Sequence, residues 1–152
     1  MDQTSSGEAS PVFVALATVY RRKDNRFEFL VIKRVPDDGG FWQPITGGID
    51  AGETPRETVI REIAEEVGIS ELLHVSEELA RHEFELDDGR RASDILHAVE
   101  VPVHAEVVLS HEHEDHHWLP LEDAIALLKF DTNKAAMRLA LQYAQANLPP
   151  EA

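Results

Sequence analysis

Residues 47 to 69, GGIDAGETPRETVIREIAEEVGI, constrain this chain more than any other stretch. They join a glycine-rich loop to a short acidic helix. Thr54 is a preferred N-cap and Pro55 suits the first helical position. Glu57 stands three residues after Thr54 and completes a capping box. Gly68 supplies the stop, so the spacing predicts a helix over 55–67, roughly three and a half turns. Its faces differ. Ile60, Ile63, Ala64 and Val67 form an apolar stripe for packing on a sheet. Glu62, Glu65 and Glu66, at i, i+3 and i+4, gather on a face pointing away from it. Such like-charge pairs cost a helix about a few tenths of a kcal/mol each when exposed. A hard divalent cation, Mg²⁺ or Mn²⁺, takes oxygen ligands and would relieve the repulsion. Three glutamates alone are more simply a solvated acidic face; the loop in front of them favours the cation.

Gly47, Glu53 and the run Arg61-Glu62-Ile63-Ala64-Glu65-Glu66-Val67-Gly68-Ile69 fill every fixed position of a 23-residue pattern. In this the segment resembles the Nudix box of the Nudix hydrolases. The resemblance implies an α/β fold, a mixed β-sheet sandwiched between helices. It also implies hydrolysis of a nucleoside diphosphate linked to a further moiety, with Mg²⁺ or Mn²⁺. By position, Glu62, Glu65 and Glu66 would be metal ligands together with the backbone carbonyl of Gly47, and Arg61 would brace the loop through Glu53. Gly47 and Gly48 would let the backbone approach metal and phosphates closely. Phosphoryl transfer needs mainly positioning and charge neutralisation, which suits this set.

At 152 residues the chain is most simply one domain, read as residues 11–148 behind a flexible polar tail, residues 1–10. There are no cysteines, which excludes disulfides and thiolate chemistry. The net charge of −15 argues against a nucleic-acid polymer as partner, because a duplex needs clustered Lys and Arg. It leaves room for a small phosphorylated substrate arriving with its metal. No leader-like or membrane-spanning run is present, so the expected location is cytoplasmic, with no membrane partner. Many relatives of the family are dimers; the sequence itself is silent on a homodimer.

Residues 11–20 and 27–34 are β-rich runs joined by a Lys23-Asp24-Asn25 turn, a hairpin pattern. A loop over 35–40 then leads through Phe41–Thr46 into Gly47. Strands are expected from Glu71 to Val75, Leu79 to Leu86 and Ser93 to Val103, with a turn at Asp87–Arg90. Helices are expected over Leu121–Phe130 and Thr132–Asn147, the second with Ala136, Leu139, Tyr143 and Ala146 as its packing stripe and Thr132 as its cap. Pro149 and Pro150 read as an unstructured tail.

Further site candidates lie outside the 23 residues. Lys33 and Arg34 are ordinary surface charges or cationic contacts to substrate phosphates. Phe41-Trp42-Gln43 resembles the segment before the box in bacterial dihydroneopterin triphosphate and dATP pyrophosphohydrolases. Trp42 and Gln43 are therefore substrate-binding candidates, with core packing as the commoner fate of the aromatics. Asn133 stands near a helix N-terminus, where anions are favoured. The cluster His111–His117 (HEHEDHH) invites a histidine metal site, but it lacks helical i, i+4 spacing. In several Nudix subfamilies an acidic residue about six before the following Trp approaches the metals. Glu112 holds that place, as a further ligand or the base that activates water, with Glu114 and Asp115 as neighbouring choices. The substrate implied is a nucleoside or pterin triphosphate, cut to monophosphate and pyrophosphate. The rivals are a dinucleoside polyphosphate, since the EHED–Trp segment also resembles diadenosine tetraphosphate hydrolases, and a non-catalytic nucleotide-binding module.

Overall fold

The computed structural model describes residues 11–147. The expected N-terminal tail and the Pro149-Pro150 end lie outside them. β1 (Val12–Lys23) and β2 (Arg26–Arg34) form the expected hairpin. Its tip is Asp24-Asn25, both at positive φ (51° and 65°), the backbone of a tight primed turn that Asp and Asn tolerate. The next segment departs from expectation. The glycine-rich approach to the helix is two short strands, β3 (Trp42–Gln43) and β4 (Ile45–Gly48). β4 has poor intrinsic β-propensity, and pairing with β1 overrides it: Gly47 lies opposite Ala15 and Ile45 opposite Ala17.

The chain continues through α1 (Pro55–Val67), β5 (His74–Val75), β6 (Ala80–Glu85), β7 (Arg91–Glu100), β8 (His113–Leu119), α2 (Leu121–Leu127) and α3 (Asp131–Ala146). The sheet is mixed. β1 runs parallel to β7 from Val12↔Ala92 to Tyr20↔Glu100, and the other pairings are antiparallel. Alternate residues of the central strands feed two cores. Ala15, Ala17, Val19 and Val99 pack with Val59, Ile63 and Val67 of α1. Tyr20, Phe29, Val31 and Ala98 pack with α2 and α3. The result is the α/β/α sandwich expected.

Several boundaries and faces are corrected. In α1 the buried residues are Thr58 and the i, i+4, i+8 row Val59, Ile63 and Val67. Ile60 is 41% exposed and Ala64 is exposed too, so the helix is rolled relative to the predicted stripe. The strand expected from Glu71 shrinks to His74–Val75, and β7 stops at Glu100 rather than Val103, shortly before Pro102, which has no N–H to donate. α2 ends at Leu127 because Leu128 is extended (ψ 142°). α3 begins at Asp131 behind Phe130 with no side-chain cap, so Thr132 is not its cap. Its buried face is Asn133, Ala136, Met137, Ala140 and Ala144; Ala146 is exposed. No described helix is long and apolar enough to cross a membrane.

Candidate active site

α1 starts where its capping box closes: Glu57 N–H donates to Thr54 Oγ1 (3.1 Å) and Thr54 N–H to Glu57 Oε1 (2.9 Å). It stops at Gly68 in the left-handed region (φ 70°). Nearly two turns in, Arg61 grips Glu53 with both arms, Nε to Oε2 at 2.7 Å and Nη2 to Oε1 at 2.9 Å. Nη2 also donates to the Gly48 carbonyl (3.1 Å). Hydrogen bonds from Arg61 first, and from Thr58 next, hold the Glu53 carboxyl down at about 2. This fork ties the loop after β4 to the helix, the bracing role expected of Arg61 and Glu53. Nη1 reaches the acidic face itself, donating to Glu62 Oε2 (2.9 Å) and Glu65 Oε1 (3.2 Å).

The three glutamates do not share one solvated face. The Glu65 side chain is 57% exposed, whereas Glu62 and Glu66 retain only 12% and 13%. The roll that buries Val59, Ile63 and Val67 also turns their neighbours Glu62 and Glu66 toward the sheet. Glu62 lies directly against Gly47: a Cβ built there would stand 2.2–2.3 Å from Glu62 Cδ, Cγ and Oε2. Only glycine leaves room for that carboxylate. Burial raises both acids, Glu66 to about 7 with a hydrogen bond from Ser110 opposing and Glu112 adding to the rise.

The segment before β8 closes the other side. Val108 N–H donates to the Val67 carbonyl (2.9 Å) and Ser110 N–H to that of Glu66 (3.0 Å). Ser110 Oγ donates to Glu66 Oε1 (2.9 Å), and the Glu112 carboxyl lies near enough to Glu66 to raise its pKa. Of the three acids weighed in this segment, Glu112 is the one beside Glu66. Glu114 pairs with Lys33 (3.1 Å), and Asp115 accepts from the His116 N–H (2.8 Å). Among the described residues, no three His, Asp or Glu side chains form a ready-made cation cage. Arg61 holds Glu62 and Glu65 while Ser110 holds Glu66. The donors are nevertheless hard oxygens, two of them half-desolvated and mutually repelling, and the Gly47 cradle is cut to the Glu62 carboxylate. They fit a small divalent ion.

From His113 onward the histidine cluster belongs to β8, and its members diverge. His117 stacks on Trp42 (5.0 Å, 20°). His113 is buried, with Nε2 3.2 Å from Gln43 Nε2 and Nδ1 3.1 Å from Glu66 Oε1. Arg34 Nη1 donates to Gln43 Oε1 (3.4 Å) and Nη2 to Asp38 Oδ2 (2.6 Å). Because arginine only donates, Gln43 must turn its oxygen to Arg34 and its amide N–H to His113. That assigns the ring proton to Nδ1, facing the Glu66 carboxylate in close contact but without the alignment of a hydrogen bond. Burial first and Arg34 second lower the His113 pKa, consistent with a neutral ring.

Gln43 also borders a cavity of about 440 Å³ on the α3 side of the sheet. Phe41, Phe84, Phe130, Asp94 and Asn133 line it as well. Phe41 and Phe130 meet edge to face (5.4 Å), and Lys129 Nζ sits over both rings (5.1 and 5.3 Å). Asn133 is in the cavity wall. Trp42 is not; it packs in the α2 core beside His117 while its neighbour Phe41 faces the cavity. Lys33 is taken up by Glu114, and Arg34 is held by Asp38 and Gln43. Lys129, Asp94, Phe130 and His113 are the residues that sequence reasoning did not single out. Only His113, next to Glu112 in the acidic run, carried any signal.

A family model described as NUDIX domain matches residues 11–141. An octanoyltransferase of Myxococcus xanthus is 30% identical over 86% of this chain, which spans only 37% of that relative's length. The dihydroneopterin triphosphate diphosphatase of Haemophilus influenzae is 35% identical over 81% of this chain and 83% of its own. Among solved structures, a C. elegans Ap4A hydrolase binary complex superposes with a TM-score of 0.77 at 27% identity, covering 89% of this chain and 98% of that one. With the box glutamates Glu62, Glu65 and Glu66 on α1 and the match running from β1 into α3, the chain belongs to the Nudix family of phosphoric-anhydride hydrolases.

Proposed function

We propose that the protein hydrolyses a nucleoside or pterin triphosphate, with Mg²⁺ or Mn²⁺, to the monophosphate and pyrophosphate. The observation that supports this most is the union of two sites through one residue. Gln43 touches the cavity on one side and, through His113, the acidic centre on the other. A planar group in the cavity would put its phosphates toward Glu62, Glu66 and Glu112. Phe41 and Phe130 offer ring faces to the heterocycle, and Lys129 and Arg34 offer charge to the phosphates.

Glu62, Glu65, Glu66 and the Gly47 carbonyl would hold the metal, which when bound supplies charge neutralisation on the phosphate oxygens and acidifies water. Glu112 takes the proton as the water oxygen forms its bond to phosphorus and the bridging P–O bond breaks toward pyrophosphate. The hydrogen bond from Ser110 draws Glu66 toward its ionised form against the burial that raises it. Arg61 releases no proton; it fixes where Glu62 and Glu65 stand.

The chromatographic test is direct. Purified protein with Mg²⁺ is given a nucleoside triphosphate, a pterin triphosphate and diadenosine tetraphosphate. Monophosphate plus pyrophosphate, abolished by chelator, is the expected result. ATP plus AMP from the dinucleotide alone would favour the rival reading supported by the Ap4A hydrolase likeness. Absence of turnover with either metal would overturn the enzymatic assignment in favour of a binding module.

A further inference from the structure

Among the described residues Asp94 is the one acid in the cavity wall, and nothing in the catalytic centre uses it. It sits in β7 with Val14 beside it on β1 and His82 opposite it on β6, on the face turned to α3. Three phenylalanines share its pocket, Phe84 and Phe130 keeping 37% and 44% of their surface open. Asn133, 8% exposed, closes the opposite wall from α3. Among the described residues no hydrogen-bond donor engages the Asp94 carboxylate. Burial raises its pKa, and the charge of His82 opposes that rise. A half-buried carboxylate aimed at an apolar cavity is costly unless something in the cavity donates to it.

We propose that Asp94 reads the heterocycle, accepting two adjacent N–H donors of a 2-amino-4-oxo pyrimidine ring, the edge shared by guanine and pterins. This rests on the nucleoside or pterin triphosphate reading above and narrows its substrate class. An ionised carboxylate only accepts, and its two oxygens match the ring N–H and the exocyclic amino group side by side. Adenine presents one donor beside one acceptor on the corresponding edge, so its ring nitrogen lone pair would face a carboxylate oxygen. Removing the 2-amino group leaves one of the two bonds. A site built to pair with a polar edge discriminates strongly against an analogue that leaves its groups unpaired. The Phe41 and Phe130 rings supply affinity to any flat base; Asp94 supplies the choice.

The test compares kcat/KM of the full chain with Mg²⁺ on dGTP, dITP and dATP, for the native protein and for Asp94→Asn, with circular dichroism as the check on folding. The native protein should rank dGTP over dITP over dATP, with about a hundredfold between the extremes. Asp94→Asn replaces one acceptor by a donor and matches the adenine edge, so the dGTP to dATP ratio should fall at least about tenfold, with dATP rising. Asp94→Ala should lose the preference without gaining adenine. A native preference for dATP, or a ratio unmoved in a folded Asp94→Asn protein, overturns the proposal. If no triphosphate is cleaved, the hydrolase reading fails by itself. Calorimetric binding of GMP and AMP then decides this one: tighter GMP binding lost in Asp94→Asn supports it, and equal affinities overturn it.

Discussion

The acidic centre and the cavity beside it are built on opposite plans. The centre is crowded with like charges, three of them held by a named partner: Arg61 on Glu62 and Glu65, Ser110 on Glu66. The cavity is largely apolar, with three phenylalanine rings in its wall and, among the described residues, Asp94 as its one carboxylate. Crowded like charges are poised for a cation and for chemistry, where small displacements are expensive. Rings around a void are poised for a shape, where affinity comes from area and choice from one or two polar atoms. The two plans predict different failures.

The largest effect belongs to the centre. Glu66→Gln should lower kcat by about a thousandfold while Tm stays level or rises, because a buried charge is removed with its shape retained. Steady-state kinetics and a thermal melt check both halves; near-native turnover would break the ligand assignment. Next is Gly47→Ala, whose methyl collides with Glu62. It should cost about 1–3 kcal/mol in a denaturant titration and about a hundredfold in kcat. Phe41→Ala, on the other plan, should raise KM about tenfold with a smaller change in kcat, since it removes binding surface shared by ground and transition states. An equal loss in kcat would mean that the cavity and the centre are not separable.

A test of a different kind is the effect of pH on the metal-free protein. The Glu66 carboxyl in the fold lies at about 7, above its ordinary 4.5, so the folded state holds that proton more tightly than the unfolded one. Its stabilisation is complete below the unfolded value and is lost as pH rises through the folded one. Stability with chelator present should therefore fall between those two values by on the order of 2 kcal/mol after solvent screening. Mg²⁺ needs the ionised acid, so the rise in Tm that it produces should grow over the same window.

That same contrast governs what could be read in advance. α1 was legible to the residue because its signals are local: the Thr54 cap, Glu57 three residues on, and the Gly68 stop. So was the contact of Arg61 with Glu53, which the family resemblance implied. The inward turn of Glu62 and Glu66 was not legible. Two overlapping apolar stripes exist on α1, and the sheet, not the helix, chooses between them. The cavity was less legible still. Phe41, Phe84, Asp94, Phe130 and Asn133 come from five separate elements or loops and become neighbours only when β7 pairs with β1 and α3 lies across them. Asn133 was anticipated for its place near a helix start, yet it contributes as a buried wall residue. Lys33 and Trp42 were reasonable candidates whose partners, Glu114 and His117, lie on β8, a strand joined to β2 only by folding.

Arg61 has one further consequence. A peptide that needs its metal in order to fold is lost when the metal is stripped away. Here a permanent guanidinium stands among Glu53, Glu62 and Glu65, a resident counter-ion encoded in the chain. Loading and unloading the cation is then an exchange of partners on a finished scaffold. The protein should sit through metal starvation intact, silent and ready, and resume work within the time an ion takes to arrive.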